Sequence, residues 1–273
     1  MRVLFIYIFV FISTLASAQS GYWPRPILPA TSGGTTLDAL ARYRFETDAT
    51  DEEGDYDGSE QNGIGYNGTY YAEGSYSIIQ NGADKHILVP SMDVGNNFSI
   101  LFRLRAGSGV TAGVIGQSAS SNGFNILVDI DGQDFSVFTE NSSSTQSNAL
   151  NVSAIQADTW VSYAAVFDRT GGTVALYVNG ADETDDASTR TDYNTSATIR
   201  IGVWKNGSWN TFGYIDDVQI YDWELTSSEV STWHSNPGQE ITRLSADAPI
   251  QSNDLLLIPS EVWGDKWNAN TRP

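Results

Sequence analysis

The stretch GYIDDVQIYDWELTSSEV, residues 213–230, contains a β-strand followed directly by the start of a helix. Polar and apolar residues alternate from Asp217 to Ile220, which is the period of a strand with one buried face. Thr226 can then cap a helix, and Glu229, three residues later, can reach back to the capping residue. The pattern predicts a strand that leads into one short helix.

Two adjacent carboxylates, Asp216 and Asp217, lie inside this strand. Neighbouring side chains of a regular strand point to opposite faces, so we expect Asp216 on the face of Val218 and Asp217 on the other. A retaining glycosidase needs two carboxyl groups about 5–5.5 Å apart on one face. We therefore predict that this pair is not a catalytic dyad.

Further apolar runs, separated by clusters of Gly, Asn and Asp, fill the chain upstream of this strand. They are ARYRFE (41–46), SIIQ (77–80), HILVP (86–90), NFSILFRLRAG (97–107), AGVIGQ (112–117), GFNILVDI (123–130), DFSVFTE (134–140), TWVSYAAVFD (159–168), GTVALYVNG (172–180) and ATIRIGVW (197–204). Short runs at regular spacing with turn signals are typical of an all-β sandwich. Asp-Gly at 131–132 and Asn-Gly at 179–180 predict tight hairpin turns.

The composition excludes several classes of function. The 273 residues include 33 Asp and Glu but 14 Lys and Arg, which gives a net charge of −19 and argues against nucleic acid or an anionic membrane as partner. The chain has no cysteine, so thiolate zinc sites and cysteine nucleophiles are excluded. The two histidines, His86 and His234, do not suggest a zinc cluster or a Ser-His-Asp triad.

The two ends of the chain differ from its middle. Residues 1–18 read as a cleaved signal peptide, because Arg2 precedes an apolar run and Ala16-Ser17-Ala18 has the small-x-small pattern of a cleavage site. We expect a protein that is secreted or held at the cell surface, with no membrane insertion after leader removal. Loss of Arg2 and of no acid would change the net charge from −19 to −20.

Three segments follow this leader. Residues 19–36 contain three prolines and a Gly-Gly pair, which indicate an extended arm or linker. Residues 37–236 form the predicted β-domain, and residues 237–273 form a C-terminal tail with an apolar run at 255–258. The arm or the tail could dock on a neighbouring molecule, so self-association through either is an open expectation.

Four pieces of the β-domain, taken in order, resemble a laminin-G-like domain of the concanavalin A-like lectin/glucanase superfamily. They are ARYRFETDATD with the loop ending in YNGTYY, NFSILFRLRAG, ADTWVSYAAVFDRTGGTVALYVNGADE, and FGYIDDVQIYDWELTSSEV. The resemblance implies a jelly-roll sandwich of two antiparallel sheets. It leaves the function open, because lectins, adhesion modules and glycosidases share this fold. The Glu-x-Asp-x-x-Glu pattern of the related glucanases is missing from residues 214–219.

The resemblance also implies a structural Ca²⁺ ion. In similar domains a calcium links the opening loop to the closing Ile-Asp-Asp strand, which on this chain implies Asp216 from the strand and Asp51 from the loop as ligands. Calcium takes roughly six to eight oxygen ligands, and the loop at 48–68 is rich in them. Its further candidate ligands are Asp48, Asp55, Asp57 and Asn62. An ordinary solvated acidic turn is the alternative interpretation.

A second group of residues is a candidate ligand-binding surface. The segment VWKNGSWNTFGY, residues 203–214, is rich in aromatic rings, which can stack on the C–H faces of sugars. Trp209 is the ring that we expect to be exposed, because Ser208 and Asn210 flank it. The polar groups predicted to assist it are Asn206, Asn210 and Tyr193. Trp204 lies in an apolar strand, so a core role is the alternative for that residue.

These observations predict a secreted, non-catalytic recognition module that binds carbohydrate or serves adhesion and holds a structural calcium. Its partner would be a glycan or an extracellular protein. One alternative is a structural or adhesion subunit of a cell-surface assembly or virion that docks through its arm or tail. Another alternative is a glycoside hydrolase with a non-standard site.

Overall fold

The computed structural model describes residues 36–82, 84–108, 111–117, 122–130, 132, 134–151, 156–204 and 213–244. The chain divides into two units, and every described residue belongs to the unit Thr35–Ser245. The other unit comprises residues 1–34 and 246–273, so the predicted leader, nearly all of the predicted arm and most of the predicted tail lie outside the described residues.

The described residues form 17 strands and one helix. In chain order these are β1 (Thr36–Leu37), β2 (Ala41–Tyr43), β3 (Ser59–Gln61), β4 (Gly65–Asn67), β5 (Ser77–Gln80), β6 (His86–Asp93), β7 (Asn97–Ala106), β8 (Thr111–Gln117), β9 (Gly123–Asp129), β10 (Asp134–Glu140), β11 (Gln146–Asn151), β12 (Val161–Asp168), β13 (Thr173–Val178), β14 (Ala181–Asp182), β15 (Ser196–Ile201), β16 (Gly213–Tyr221), α1 (Ser227–Ser235) and β17 (Arg243–Leu244). Each apolar run quoted above overlaps one of these strands.

Two antiparallel sheets make up the sandwich. The smaller sheet has the strand order β11-β10-β9-β8-β15-β6-β3. The larger sheet has the order β14-β13-β12-β7-β16-β5-β4, and β2 pairs with β16 beside this path. The short strands β1 and β17 form a separate pair. The predicted all-β jelly-roll fold is therefore confirmed.

The core lies between the two sheets and is rich in aromatic rings. Phe98 stacks on Phe167 with ring centroids 4.1 Å apart, and Phe102 stacks on Tyr163 at 5.2 Å. All four side chains are fully buried. Burial of each such ring contributes about 1.5–3 kcal/mol to stability, which lets a chain without disulfides fold through packing alone.

The helix packs on the outer face of the larger sheet. Its apolar side chains Val230 and Trp233 join a second buried cluster with Leu101 and Tyr221. The predicted capping box is confirmed, since the Glu229 backbone N–H donates to Thr226 Oγ1 at 3.3 Å and the Thr226 N–H donates to Glu229 Oε2 at 2.7 Å.

A buried arginine joins the end of this helix to the sheet. Arg103 donates from Nε to Asp217 Oδ2 at 3.1 Å, from Nη1 to Ser162 Oγ at 2.8 Å and from Nη2 to the Trp233 carbonyl at 2.8 Å. Its guanidinium also lies 4.5 Å from the centre of the Trp233 ring. Asp217 therefore has a structural role, as the buried counter-ion of Arg103.

Two tight hairpin turns were predicted, and one of them lies within the described residues. Asn179 and Gly180 have φ angles of 51° and 79° and join β13 to β14, which confirms the predicted two-residue hairpin turn. The other predicted turn includes Asp131, which lies outside the described residues.

Strand β16 contains a bulge at the two acids. Asp216 pairs with Arg103 but Gln219 pairs with Leu101, so one extra residue is inserted in β16. Asp217 takes up the insertion with a φ of 46°. Ile215 and Val218 both reach the inner core as a result. The expected strict alternation, with Asp216 and Val218 on one face opposite Ile215, is wrong for this reason.

Candidate functional site

A row of three side chains crosses three adjacent strands of the larger sheet. Tyr214 of β16 pairs with Ile79 of β5 on one side and with Arg105 of β7 on the other. Residues paired in this way lie side by side on one face of a sheet. The three side chains therefore form a continuous strip.

This strip faces away from the core. The residues that precede or follow its members along the chain are Ile78, Ile215 and Leu104, and all three belong to the inner cluster between the sheets. Because side chains alternate between the two faces of a strand, the strip itself lies on the outer face.

Tyr70 covers one part of the strip. Its ring centroid lies 5.0 Å from that of Tyr214 at an interplanar angle of 50°. The Arg105 guanidinium lies 4.2 Å from the centre of the Tyr70 ring and 5.7 Å from that of Tyr214. Tyr70 is nevertheless 41% exposed, so part of its surface is open to a ligand.

A groove of about 340 Å³ opens beside these rings. Its described lining residues are Tyr70, Ile79, Gln80, Asn81, Arg105, Gly107, Asp158, Gly213 and Tyr214. The volume lies at the lower end of the range for small-molecule sites, which is about 300–1,000 Å³. The groove combines aromatic and apolar surface with a few polar groups, as ligand pockets do.

The polar groups of the groove differ in their partners. Arg105 Nη1 lies 3.5 Å from Asp158 Oδ1, and the Asp158 side chain is 66% exposed. Gln80 is only 1% exposed; its Nε2 donates to the Gly202 carbonyl at 2.9 Å, whereas its Oε1 accepts no hydrogen bond. The groove thus offers the donors of Arg105 and the exposed carboxylate of Asp158, whereas the amide of Gln80 points into the protein interior.

The turn that carries Tyr70 is fixed at its backbone. Asn67 Oδ1 accepts the N–H groups of Thr69 at 2.9 Å and of Tyr70 at 2.7 Å. Ser77 Oγ donates to the Tyr70 carbonyl at 2.6 Å. Both backbone polar groups of Tyr70 are therefore bonded, and the position of its ring is set by the fold before any ligand arrives.

Asp216 holds the next part of the same turn. Its Oδ2 accepts the backbone N–H of Ala72 at 2.7 Å and of Glu73 at 3.1 Å, and its Oδ1 accepts the N–H of Asp217 at 2.8 Å. Burial raises the pKa of Asp216 to about 8, although these three donors act in the opposite direction. Asp216 thus lies behind the groove and anchors its wall.

Asp51, the predicted loop ligand for calcium, is also occupied by backbone groups. Its Oδ1 accepts the N–H of Arg42 at 2.8 Å and of Glu53 at 3.1 Å, and its Oδ2 accepts that of Tyr56 at 3.0 Å. Asp57 Oδ1 in turn accepts the Asp51 N–H at 2.9 Å. The acidic loop therefore folds around its own carboxylates.

The other predicted calcium ligands lie at the surface. Asp48 accepts the N–H of Thr50 at 3.0 Å, Asp55 is exposed, and Asn62 donates to the Asp84 carbonyl at 2.7 Å. No three His, Asp or Glu side chains within the described ranges form a group that could hold a metal ion. The described carboxylates thus do not fit a calcium cage, and the structural calcium stays a prediction.

Of the predicted ligand-binding residues, one is buried and three lie outside the described residues. Tyr193 is 1% exposed within the inner core, so its ring presents no surface to a ligand. Trp209, Asn206 and Asn210 lie outside the described residues. Trp204 is buried and makes an edge contact with Phe138 at 5.3 Å, as expected for a core residue.

Sequence reasoning included Tyr214 in the aromatic segment 203–214 but missed the other side chains of the groove. Tyr70 stood in the motif YNGTYY, which served only to mark the end of the acidic loop. Arg105 stood in a strand whose outward face carries the polar residues Ser99, Arg103 and Arg105. Exposed tyrosines next to glycines were a usable signal, but the pairing with Tyr214 required the register of the sheet.

Comparison with known proteins places the fold. A sequence profile described as the concanavalin A-like lectin/glucanases superfamily, of the laminin G type, matches residues 81–231, which is more than half of the chain. No curated protein matches the sequence at a significant level. Within the described residues, no helix is both long and apolar enough to cross a membrane.

Several solved structures share the fold at low sequence identity. Domain 4 of a GH43 extracellular arabinanase from Geobacillus stearothermophilus, in complex with arabinotriose, is 20% identical with a TM-score of 0.59; the match covers 72% of this chain and 98% of that one. The binding domain of botulinum neurotoxin serotype G is 17% identical with a TM-score of 0.57, and the match covers 72% of this chain and 51% of that one. The receptor binding domain of a C/D mosaic botulinum neurotoxin is 13% identical with a TM-score of 0.60, covering 73% and 51%.

Proposed function

The chain belongs to the concanavalin A-like lectin/glucanase superfamily, and from that premise we propose that it is a non-catalytic recognition domain that binds carbohydrate in the groove beside Tyr70. The superfamily includes binding modules and enzymes alike, so the fold cannot decide between them. The decision rests on the groups that the groove presents.

The arrangement of Tyr70, Arg105 and Tyr214 carries this proposal. A sugar ring has C–H faces that pack on an aromatic ring and hydroxyl groups that bind charged or amide side chains. The Arg105 guanidinium lies over the ring of Tyr70, which stays 41% exposed, and Asp158 and Asn81 line the same groove. A single exposed tyrosine is ordinary on a protein surface. A tyrosine whose backbone is bonded on both sides and whose ring borders a polar groove is better suited to binding.

The carboxylates support a binding role over hydrolysis. Glycosidases place two carboxyl groups roughly 5–9.5 Å apart on either side of the scissile bond. Among the described lining residues, Asp158 is the one carboxylate. Asp216 and Asp217 are fully buried, and each is engaged by donors from the protein itself. A glycosidase mechanism requires a second acid, and the described wall of the groove does not supply one.

Other observations support the proposals of secretion and of a glycan partner. The proposal of a secreted protein is supported by the leader-like sequence of residues 1–18, which lies outside the described residues. A glycan partner is supported by the groove and is in keeping with the arabinotriose bound to one structural neighbour. The function proposed for the groove does not depend on a calcium ion.

The test compares two neighbouring tyrosines. Tyr70 lines the groove, whereas Tyr71, at 44% exposure, does not line it. Binding to an array of neutral and acidic glycans would be measured first, followed by calorimetry on the strongest ligand. We expect Tyr70→Ala to weaken binding about tenfold, equivalent to about 1.4 kcal/mol, and Tyr71→Ala to leave it unchanged within about twofold. Equal effects of the two substitutions, or no binding to any glycan, would contradict the proposal.

A further inference from the structure

The charges of the groove point to the class of sugar that it accepts. We propose that the groove takes a neutral saccharide through a pair of hydroxyl groups and disfavours sugars that carry a carboxylate. This inference rests on the proposed function and adds the chemical class of the ligand.

The ion pair at the rim carries this inference. Arg105 offers only donors and Asp158, when ionised, offers only acceptors, and the two groups lie 3.5 Å apart. A hydroxyl group can both accept from the guanidinium and donate to the carboxylate. A sugar carboxylate could accept from Arg105, but it would then lie next to the like charge of Asp158.

Within the described wall of the groove, the pair also leaves no excess positive charge. Among the described lining residues Arg105 is the one cation and Asp158 the one anion, so their formal charges cancel. The whole chain carries a net charge of −19, which adds long-range repulsion of a polyanionic glycan. A site for uronic acids would be expected to present an unopposed arginine, because guanidinium binds carboxylates in a bidentate manner.

Lys85 does not add a positive charge to the described lining of the groove. Its ammonium donates to Asn81 Oδ1 at 3.0 Å, and Lys85 is not among the described lining residues. It therefore occupies the amide oxygen of Asn81. The amide N–H groups of Asn81 remain suited to a hydroxyl oxygen of the ligand.

The experiment uses matched pairs of oligosaccharides and the full mature chain. Galactose oligomers are compared with galacturonate oligomers, and glucose oligomers with glucuronate oligomers, by calorimetry at physiological salt. We expect the neutral member of the bound pair to bind at least about tenfold more tightly. Asp158→Asn should reduce this difference in affinity, because it should strengthen binding of the acidic oligosaccharide.

A charge control separates local from global effects. Asp182 is exposed on β14, at the opposite edge of the larger sheet from β5, so Asp182→Asn removes the same charge far from the groove. If the acidic member binds as tightly as the neutral one, or if Asp182→Asn reduces the difference in affinity as much as Asp158→Asn does, this inference is overturned while the proposed function stands. If no saccharide binds, the proposed function itself fails.

Discussion

Asp216 Oδ2 accepts the backbone N–H of Ala72 at 2.7 Å, although the two residues are 144 positions apart in the chain. This contact connects the closing strand β16 to the turn that presents Tyr70. Tyr214, two residues before Asp216 on the same strand, packs against the Tyr70 ring at 5.0 Å. Strand β16 thus holds the turn that carries Tyr70 and also packs against the Tyr70 ring.

The first prediction concerns this anchor. Asp216→Ala leaves the N–H groups of Ala72, Glu73 and Asp217 without their acceptor. Each buried donor left unsatisfied costs about 1–3 kcal/mol, so we expect a loss of about 3–5 kcal/mol in the free energy of unfolding, measured by denaturant titration. Asp216→Asn retains one oxygen and should lose less. Glycan binding should weaken in Asp216→Asn even where it is fully folded, since the turn carrying Tyr70 is then less well held.

One outcome would contradict the role of Asp216 in positioning the groove. If Asp216→Asn unfolds at a lower denaturant concentration but binds glycan with unchanged affinity, Asp216 stabilises the sandwich and does not position the groove. Asp182→Asn, which changes an exposed carboxylate of β14, serves as the matched control and should affect neither property.

The second prediction concerns the pH dependence of stability. Burial raises the pKa of Asp216 from its ordinary value of 3.8 to about 8. Between these values the unfolded chain has released a proton that the folded chain still holds. The contribution of this group is therefore complete below about pH 4 and is lost as the pH rises towards 8. We expect the stability of Asp216→Asn, relative to that of the unmodified protein, to improve steadily from pH 4 to pH 8. A difference that stays constant over this range would contradict a protonated Asp216.

The strands were predictable because their signals are local. SIIQ and DFSVFTE coincide with β5 and β10, since short apolar runs bounded by turn residues leave few other options. The helix start at Thr226 was predictable for the same reason, as a cap and its partner lie three residues apart. Strands β3 and β4 were missed because they are polar and form through pairing with β6 and β5.

The candidate site was not predictable to the same degree. The bulge at Asp217 reverses the expected faces, and a positive φ at a non-glycine residue has no reliable signal in one sequence. The strip of Ile79, Tyr214 and Arg105 depends on the register of three strands that are distant in the chain. Sequence reasoning identified Asp216 as an important carboxylate but could not show that its partners are backbone N–H groups.

The third prediction concerns the buried arginine. Arg103→Met leaves the carboxylate of Asp217, which is fully buried, without its cationic partner. Removal of one member of a buried ion pair typically costs about 3–5 kcal/mol, and we expect a loss of that size by thermal or denaturant unfolding. Arg190→Met is the matched control, because Arg190 pairs with the exposed Asp192, and a surface pair contributes only about 0–1 kcal/mol. Similar losses in both variants would show that the Arg103 contacts contribute no more than a surface pair does.

The last prediction tests the calcium hypothesis. Three backbone N–H groups donate to Asp216 and three donate to Asp51, so each carboxylate already has the hydrogen bonds that stabilise its place in the fold. If these hydrogen bonds alone hold the two carboxylates, the melting temperature is the same with a chelator and with millimolar calcium. A site filled at a hundredfold excess over its dissociation constant would instead add about 2.7 kcal/mol to stability. A rise of the melting temperature in calcium that disappears in Asp51→Asn or Asp216→Asn would contradict this expectation, and it would mean that these carboxylates exchange their N–H partners for the ion.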